Sequence, residues 1–215
     1  MRTVTAKAHR ATLSDADLMA MGTHGVARAY PKNAVIVSEG DMTDSLYVIL
    51  QGRVKVYVSD ERGHELVLHT QGPGEYFGEL VLDEGPRSAS VMTLEPSRFL
   101  VVPKADFREF VMRNPAFALS LIEKLIQRVR TLTESVKNLA TMDVYGRVAR
   151  LLLELAEERA EGLVIDERLT QQDIANRVGA SREMVSRILK SLTEGGYVAF
   201  ERKRIVLSRR PPAHW

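Results

Sequence analysis

A regular apolar repeat between Ala118 and Leu139 constrains the fold of this chain more than any other feature. Seven apolar residues recur there at alternating spacings of four and three positions. This is the a/d pattern of a helix with an apolar seam, and its period of about 3.5 residues is typical of coiled coils. The seam consists of Ala118, Ile122, Leu125, Val129, Leu132, Val136 and Leu139.

Pro115 is suited to begin this helix, because proline is tolerated in the first helical turn. The strict period favours a parallel coiled coil between two copies of the chain. Since most oligomers are symmetric, we expect a twofold homodimer formed through residues 115–140. Packing of the helix on the core of its own domain is the alternative.

The region from Asn33 to Val102 has the composition of short β-strands. Its segments are rich in β-branched residues and are separated by turns that contain glycine. Strands at this spacing predict an antiparallel barrel or roll, with a short helix on either side. The predicted strands are NAVIVS, SLYVIL, RVKVYVS, ELVLHT, RSASVMT and SRFLVV, and the flanking helices are SDADLMAM and KADFREFVMRN.

After Met142 the pattern predicts a region built mainly on helices. An amphipathic helix, DVYGRVARLLLELAEE, precedes a strand or loop, GLVIDERLT. Thr170 and Asp173 form a capping-box pattern at the start of the short helix QQDIANRV, which Gly179 ends. Ser181 can cap a further helix, REMVSRILKSLTEGG, so the pair forms a helix-turn-helix, and YVAFERKRIVLS predicts a two-stranded wing.

The predicted fold is therefore α+β and has three parts. Residues 1–114 form an N-terminal antiparallel β-roll, similar to a jelly roll, with flanking helices. Residues 115–141 form the dimerisation helix and hinge, and residues 142–215 form a winged helix-turn-helix domain.

The charge of the chain is concentrated near its C-terminal end. Between Arg168 and Arg210 there are ten basic and four acidic residues, a net charge of +6, whereas the whole chain carries +2. A basic module on an otherwise acidic chain indicates that this module has a polyanionic partner.

The second helix of the predicted pair has two distinct faces. Val185, Ile188, Leu189 and Leu192 recur at helical spacing and form the expected buried face. A solvated polar face is the alternative for the other side, but an arginine and a glutamate in the first turn suit the reading of base edges in a major groove. The polar face contains Arg182, Glu183, Ser186, Arg187 and Lys190.

Several classes of function are not expected. The chain has no cysteine, which excludes disulfides, cysteine-ligated iron–sulfur clusters and thiol nucleophiles. The five histidines are scattered without metal-ligand spacing, so we expect neither a metal site nor an enzyme, and we assign His64 and His69 surface or structural roles. We find no signal peptide and no apolar run long enough to cross a membrane, so a cytoplasmic protein without a membrane partner is expected.

The stretch FGELVLDEGPRSAS, residues 77–90, combines a glycine and a carboxylate with an arginine–serine pair. Together with the long helix and LTQQDIANRVGASREMVSRILKSL, it resembles the catabolite activator, or cyclic AMP receptor (CRP/FNR), family of bacterial transcription regulators. NLATMDVYGRVARLLLELA is similar to that family's hinge and following helix, and the resemblance covers about residues 13–208. It implies a homodimer with a cyclic-nucleotide-binding roll, a winged helix that binds palindromic double-stranded DNA, and RNA polymerase as a partner.

The resemblance implies a phosphate-binding cassette in this stretch. Arg87 offers a planar fork to the oxygens of a cyclic phosphate, and Ser88 adds a hydroxyl and backbone donors. Glu79 can accept a hydrogen bond from a ribose 2′-hydroxyl, and a structural ion pair between Glu79 and Arg87 is the alternative. The implied ligand-binding residues are Gly78, Glu79, Leu80, Arg87, Ser88, Ala89, Leu132 and Thr133.

Two features depart from the family pattern and bear on which effector binds. The insert between Glu79 and Arg87 is short, and Leu132 stands where the cyclic AMP receptor has a hydroxyl residue facing the purine. Leu132 cannot hydrogen-bond an adenine amino group, whereas Thr133 can. Cyclic AMP is the first expectation, and cyclic di-GMP, loss of ligand control and a haem gas sensor are alternatives. An alternative of another class is a cyclic-nucleotide-binding module that controls a partner protein without touching DNA.

The resemblance also assigns roles in DNA binding. The base-contacting positions of the family fall on Arg182, Glu183 and Arg187, a set that is similar to members reading GTGA-type half-sites. The phosphate-contacting positions fall on Thr170, Gln171 and Ser181, and Ser186 and Lys190 lie on the same helix face.

Overall fold

The computed structural model describes residues 25–42, 44–83, 85–159, 162–201 and 204–212. The chain divides into two compact units. The first consists of the described residues of Met1–Val58 and Leu68–Arg130, and the second of those of Ser59–Val67 and Thr131–Trp215. Among the described residues, none of the helices is long and apolar enough to span a membrane.

The first unit is built on two sheets, each with four antiparallel strands in the described part of the chain. In one sheet the strand order is β1-β8-β3-β6, and in the other it is β2-β7-β4-β5. The strands are β1 (Val26–Tyr30), β2 (Val35–Val37), β3 (Ser45–Gln51), β4 (Val54–Ser59), β5 (Glu65–Gln71), β6 (Tyr76–Phe77), β7 (Ser90–Thr93) and β8 (Ser97–Pro103).

Alternating apolar residues of these strands form the core of the roll. Phe99 is fully buried, and Phe77 meets it edge-on with ring centroids 5.5 Å apart. On its other side, Phe77 stacks on Tyr47 at 5.0 Å. Such offset and edge-on ring pairs add to the stabilisation from apolar burial.

Two helices follow the roll. Helix α1 (Lys104–Arg113) buries Phe107 and Phe110. Helix α2 (Pro115–Thr141) begins at the predicted proline and buries Phe117 and Leu121 in its first two turns. The Phe117 ring lies 5.0 Å from that of Phe110, so aromatic packing fixes the start of the long helix against the roll.

The apolar seam of α2 is mostly exposed in the single chain. Leu125 instead packs against the core of the roll. The helix therefore uses one face for its own domain and presents a second apolar face, and pairing of that second face with another copy of the chain stays a prediction. The exposed seam residues are Ile122, Val129, Leu132, Val136 and Leu139.

Besides the end of α2 and the described residues of Ser59–Val67, the second unit contains three further helices and a sheet of four strands in its described residues. Asp143 caps α3 by accepting a hydrogen bond from the Gly146 backbone at 2.7 Å. The sheet order is β11-β12-β10-β9. The elements are α3 (Val144–Leu155), β9 (Glu157–Arg159), β10 (Gly162–Ile165), α4 (Gln171–Val178), α5 (Arg182–Glu194), β11 (Val198–Glu201) and β12 (Arg204–Leu207).

The structure confirms the predicted α+β fold, the six predicted strands of the roll and the ranges of α2 and α4. Helix α5 begins at Arg182 as predicted but ends at Glu194, two residues before the predicted end. The predicted extent of α3 was wrong, because Glu157–Arg159 leaves the helix to pair with β10. Strands β1 and β6 were not predicted. The predicted helix at residues 14–21, and residues 202–203 within the predicted wing, lie outside the described residues.

Candidate functional site

A tight turn after β6 holds the first candidate site. Gly78 has φ +84° and begins a 3₁₀ turn over Glu79–Leu82. This left-handed backbone is readily adopted only by glycine. A Cβ atom at Gly78 would lie 2.8 Å from Arg87 Nη1 and 3.0 Å from the Ser45 carbonyl oxygen. The glycine is therefore required both by its own backbone and by the close approach of Arg87.

Arg87 is buried behind this turn, with only 7% of its surface exposed. Its Nη1 donates to the Gly78 carbonyl at 2.9 Å, and its Nη2 donates to the Ser45 carbonyl at 2.5 Å. Burial lowers the pKa of Arg87, and nearby Tyr47 and Glu79 oppose that shift. A buried guanidinium is costly unless it is paired, and Glu79 and Asp44 both lie near enough to act on its charge.

The backbone of Arg87 fixes the loop that contains the next two cassette residues, Ser88 and Ala89. Its backbone N–H donates to the Asp41 carbonyl at 2.9 Å, and its carbonyl accepts from Gly40 at 2.8 Å. These two bonds fix the loop in which Ser88 is exposed and Ala89 is half-buried. Leu80 is exposed on the 3₁₀ turn.

Glu79 pairs with the long helix. Its Oε1 accepts from Arg128 Nη1 at 2.6 Å, and only 5% of the Glu79 side chain is exposed. Arg87 lies near Glu79 but donates to the two carbonyls instead. The hairpin ion pair that the sequence left as an alternative is thus replaced by a longer-range ion pair with α2.

His69 on β5 contacts the same arginine, so Glu79, Arg128 and His69 form one polar cluster. The second terminal nitrogen of Arg128, Nη2, contacts Nε2 of His69. Arginine only donates hydrogen bonds, so Nε2 is the acceptor and the imidazole proton is on Nδ1. Burial, with the nearby charges of Arg128 and Lys124, lowers the pKa of His69 to about 3, which keeps the ring neutral at physiological pH.

Lys124 lies on α2 one helical turn before Arg128, next to the cluster of Glu79, Arg128 and His69. Its Nζ lies 3.4 Å from the centroid of the Tyr76 ring and donates to the Tyr76 carbonyl at 3.3 Å. Burial, opposed by Glu79 and Glu75, lowers the pKa of Lys124 to about 8. Sequence reasoning missed Lys124 and Arg128, because both lie outside the apolar seam and carry no local signal of a site, and it gave His69 no ligand role.

Leu132 and Thr133, the predicted purine-facing residues, are exposed on the part of α2 that belongs to the second unit. Their contact with a ligand stays a prediction. Among the residues that the structure describes, no group of three or more His, Cys, Asp or Glu side chains could hold a metal ion.

The second candidate site is the helix-turn-helix formed by α4 and α5. Thr170 caps α4 in a full capping box with Asp173, and Ser181 caps α5 by accepting from the Met184 backbone at 3.3 Å. Gly179 ends α4 with φ +64°. The predicted core face of α5 is confirmed, since its members are all buried: Val185, Ile188, Leu189 and Leu192.

The predicted DNA-reading face is accessible. Arg182, Glu183, Arg187 and Lys190 are exposed, and Ser186 is half-buried. Glutamate in the first turn is also favoured by the positive end of the helix dipole. Thr170 and Ser181 are exposed at the two helix starts, and Gln171 is half-buried.

Two arginines of α3 connect the helix-turn-helix to the end of α2. Arg147 donates to the Met142 carbonyl at 2.9 Å and to the Val178 carbonyl at 2.8 Å, which ties the end of α2 to the end of α4. Arg150 donates to Asn138 at 2.9 Å and also contacts Glu134, both on α2. These positioning roles were not predicted, because the spacing of the sequence does not reveal them.

A β-roll with a buried arginine at a glycine turn, followed by a long helix and a winged helix-turn-helix, defines a class of DNA-binding regulators. Residues 27–114 match the family model described as a cyclic nucleotide-binding domain, and residues 146–211 match the Crp-like helix-turn-helix domain. The chain belongs to the cyclic AMP receptor (CRP/FNR) family of transcription regulators.

Relatives match over most of their length. The CRP-like cAMP-activated global transcriptional regulator of Mycobacterium tuberculosis is 33% identical over 83% of this chain and 82% of its own. The cAMP-activated global transcriptional regulator CRP of Haemophilus influenzae is 33% identical over 95% of this chain and 93% of its own. The solved structure of the c-di-GMP responsive global regulator CLP of Xanthomonas campestris is 26% identical, covers 90% of this chain and 99% of its own, and has a TM-score of 0.81.

We predict that Gly78→Ala destabilises the protein more than Gly40→Ala. Both glycines have φ +84°, so alanine carries the same backbone strain of about 1–2 kcal/mol at either position. Only Gly78 has atoms close to the added Cβ, whereas nothing lies within 4 Å of it at Gly40. Overpacking against Arg87 adds about 1–3 kcal/mol, measurable by urea denaturation. Equal losses in the two variants would show that Arg87 moves aside freely.

Proposed function

We propose that this protein is a homodimeric transcription regulator that binds palindromic DNA in the cytoplasm and is gated by a cyclic nucleotide, with cyclic AMP as first choice. The observation that carries the ligand proposal is the buried Arg87 at the Gly78 turn, with Glu79 beside it. The relatives from Mycobacterium tuberculosis and Haemophilus influenzae, both described as cAMP-activated, support this choice.

The roles of the cassette follow from its chemistry. The cyclic phosphate is held by Arg87 and the exposed Ser88, and the Gly78 turn allows the ligand to approach the backbone. Glu79 accepts a hydrogen bond from the ribose 2′-hydroxyl. Leu80 and Ala89 line the same cassette, and Leu132 and Thr133 face the base.

Calorimetric titration with cyclic AMP, cyclic GMP and cyclic di-GMP tests the ligand. We expect cyclic AMP to bind and Arg87→Gln to lower its affinity about 100-fold, because two charge-assisted hydrogen bonds are lost. Arg98→Gln, which alters an exposed arginine on β8, is the matched control and should leave the affinity unchanged.

Binding of cyclic di-GMP in place of cyclic AMP would change the effector, and the c-di-GMP responsive regulator of Xanthomonas campestris gives this outcome a specific basis. If none of the three nucleotides binds, the regulator acts without this ligand and the gating proposal is wrong. The DNA-binding proposal is independent of that result.

The exposed face of α5 is the proposed reader of the operator. Arg182, Glu183 and Arg187 contact base edges in the major groove of GTGA-type half-sites. Backbone phosphates are contacted by the two helix starts and by the outer side of α5. These phosphate-contacting residues are Thr170, Gln171, Ser181, Ser186 and Lys190.

We predict that Arg182→Ala relaxes sequence preference at one base pair of each half-site, with a loss of about 1–3 kcal/mol on the preferred operator. Lys190→Ala is the contrasting variant, because a lost phosphate contact weakens binding to all sequences and reduces the salt dependence. Fluorescence anisotropy with operator and random duplexes measures both. An equal loss on the two duplexes for Arg182→Ala would contradict base reading.

The dimer is proposed to form through the exposed seam of α2. Five apolar seam residues lie on the surface of the single chain, and 65% of the Val136 surface is exposed. A continuous apolar stripe of this kind is buried in most proteins, and a parallel pairing of two α2 helices would bury it at a twofold axis. Leu119 and Ile126 widen the stripe near its start.

We predict that Val136→Glu shifts the protein from dimer to monomer, because it places a charge in the seam. Lys137→Glu introduces the same side chain one position later, off the seam, and should remain dimeric. Sedimentation velocity at micromolar concentration distinguishes the two. A monomeric wild type would contradict the dimer.

Gating is proposed as a population shift. The ligand contacts Arg87 and Glu79 of the roll, and Glu79 connects it to α2 through its ion pair with Arg128. Binding favours the dimer state in which the two recognition helices lie about 34 Å apart, which is one turn of DNA. RNA polymerase is the proposed downstream partner, and no catalytic role is proposed. A protein-interaction module that does not bind DNA is disfavoured by the exposed Arg182, Glu183 and Arg187, and salt-dependent operator binding tests it.

A further inference from the structure

We propose that His69 is a positioning residue for ribose recognition: it holds one arm of Arg128, so that only one oxygen of Glu79 is used by the protein and the other serves the ligand. This inference rests on the proposed binding of a cyclic nucleotide. His69 had no ligand role in the sequence prediction, and it acts through Arg128.

The geometry assigns each arm of one guanidinium to a different element. Arg128 on α2 donates through Nη1 to Glu79 Oε1 at 2.6 Å. Its Nη2 contacts Nε2 of His69 on β5. The guanidinium is planar and rigid, so two acceptors on separate elements fix its plane as well as its position.

An arginine beside a carboxylate tends to form two parallel bonds that occupy both oxygens. Here the second arm of Arg128 is taken by His69, and within the described part of the chain Glu79 accepts a bond only on Oε1. Oε2 is therefore the oxygen that can accept from a ribose hydroxyl. Without the imidazole, Arg128 can rotate onto both oxygens of Glu79 and compete with the ligand.

The imidazole suits this role because it stays neutral. A protonated ring would donate from both nitrogens and repel the guanidinium. The burial of the ring, together with the charges of Arg128 and Lys124, favours the neutral form. Lys124 is itself held by Tyr76, through the ring face and the carbonyl.

The test compares two ligands, 3′,5′-cyclic AMP and its 2′-deoxy analogue, by calorimetric titration of the full chain. The variants are His69→Leu, which removes the acceptor, and His69→Gln, which keeps an acceptor near the position of Nε2. His64→Leu is the matched control, since it removes an exposed imidazole that bonds Asp60 in the β4–β5 turn. Thermal melts check folding, and His69→Phe replaces the leucine variant if that variant does not fold.

The wild type should prefer the ribose ligand by about 10-fold, as expected for a hydrogen bond to a charged group. His69→Leu should lose most of this preference, with about 10-fold weaker binding of cyclic AMP and less than about a twofold change for the deoxy analogue. His69→Gln and His64→Leu should keep the preference.

Other outcomes overturn the inference in distinguishable ways. Equal weakening of both ligands by His69→Leu would mean that His69 supports only the fold, and an unchanged preference would mean that it has no role. A wild type that binds both ligands equally would show that Glu79 does not read the ribose. A wild type that binds neither ligand would overturn the proposed effector itself, and the role of His69 with it.

Discussion

The ion pair between Glu79 and Arg128 is the interaction on which the candidate ligand site depends. It joins the 3₁₀ turn of the roll to the long helix, and both partners are largely withdrawn from water. A buried pair of this kind is stable only when its geometry and remaining hydrogen bonds are satisfied. His69 supplies the second acceptor for the guanidinium, so strand β5, the turn and α2 meet at one side chain.

The organisation of α2 follows from the two faces of its sequence. Phe117, Leu121 and Leu125 pack against the roll, and the side that carries Val129 and Val136 is apolar but exposed. A helix that is apolar on more than one side must find a partner for each, since water cannot compensate for exposed apolar surface. The first face of α2 packs on the roll of the same chain. We propose that the second face packs on α2 of another copy of the chain.

Local patterns predicted the helix-turn-helix well, because every signal needed for it is local. Thr170 and Ser181 cap their helices, Gly179 ends the first, and Val185 and Leu192 belong to a clear buried face. The short strand β6 escaped prediction, because two residues carry too little periodicity. Glu157–Arg159 joined a sheet rather than continuing α3, since pairing with β10 outweighed helix propensity.

Only part of the candidate ligand site is visible in the sequence, because the rest depends on residues that are distant along the chain. The cassette around Gly78 and Arg87 is contiguous in sequence, and its glycine and arginine are visible there. Arg128 lies 49 residues from Glu79 and 59 from His69, so their association depends on the tertiary fold. Nothing in the seam pattern distinguishes an arginine that points into a buried site from one in solvent.

The two faces of α5 also have an evolutionary consequence. The residues that hold the helix in its domain are buried, whereas Arg182, Glu183 and Arg187 are exposed and contribute nothing to that core. Surface substitutions away from caps and core usually change stability by less than about 0.5 kcal/mol. If this face reads the operator as we propose, duplicated copies of this gene can acquire new operators by exchanging a few exposed side chains while the core of the domain stays intact.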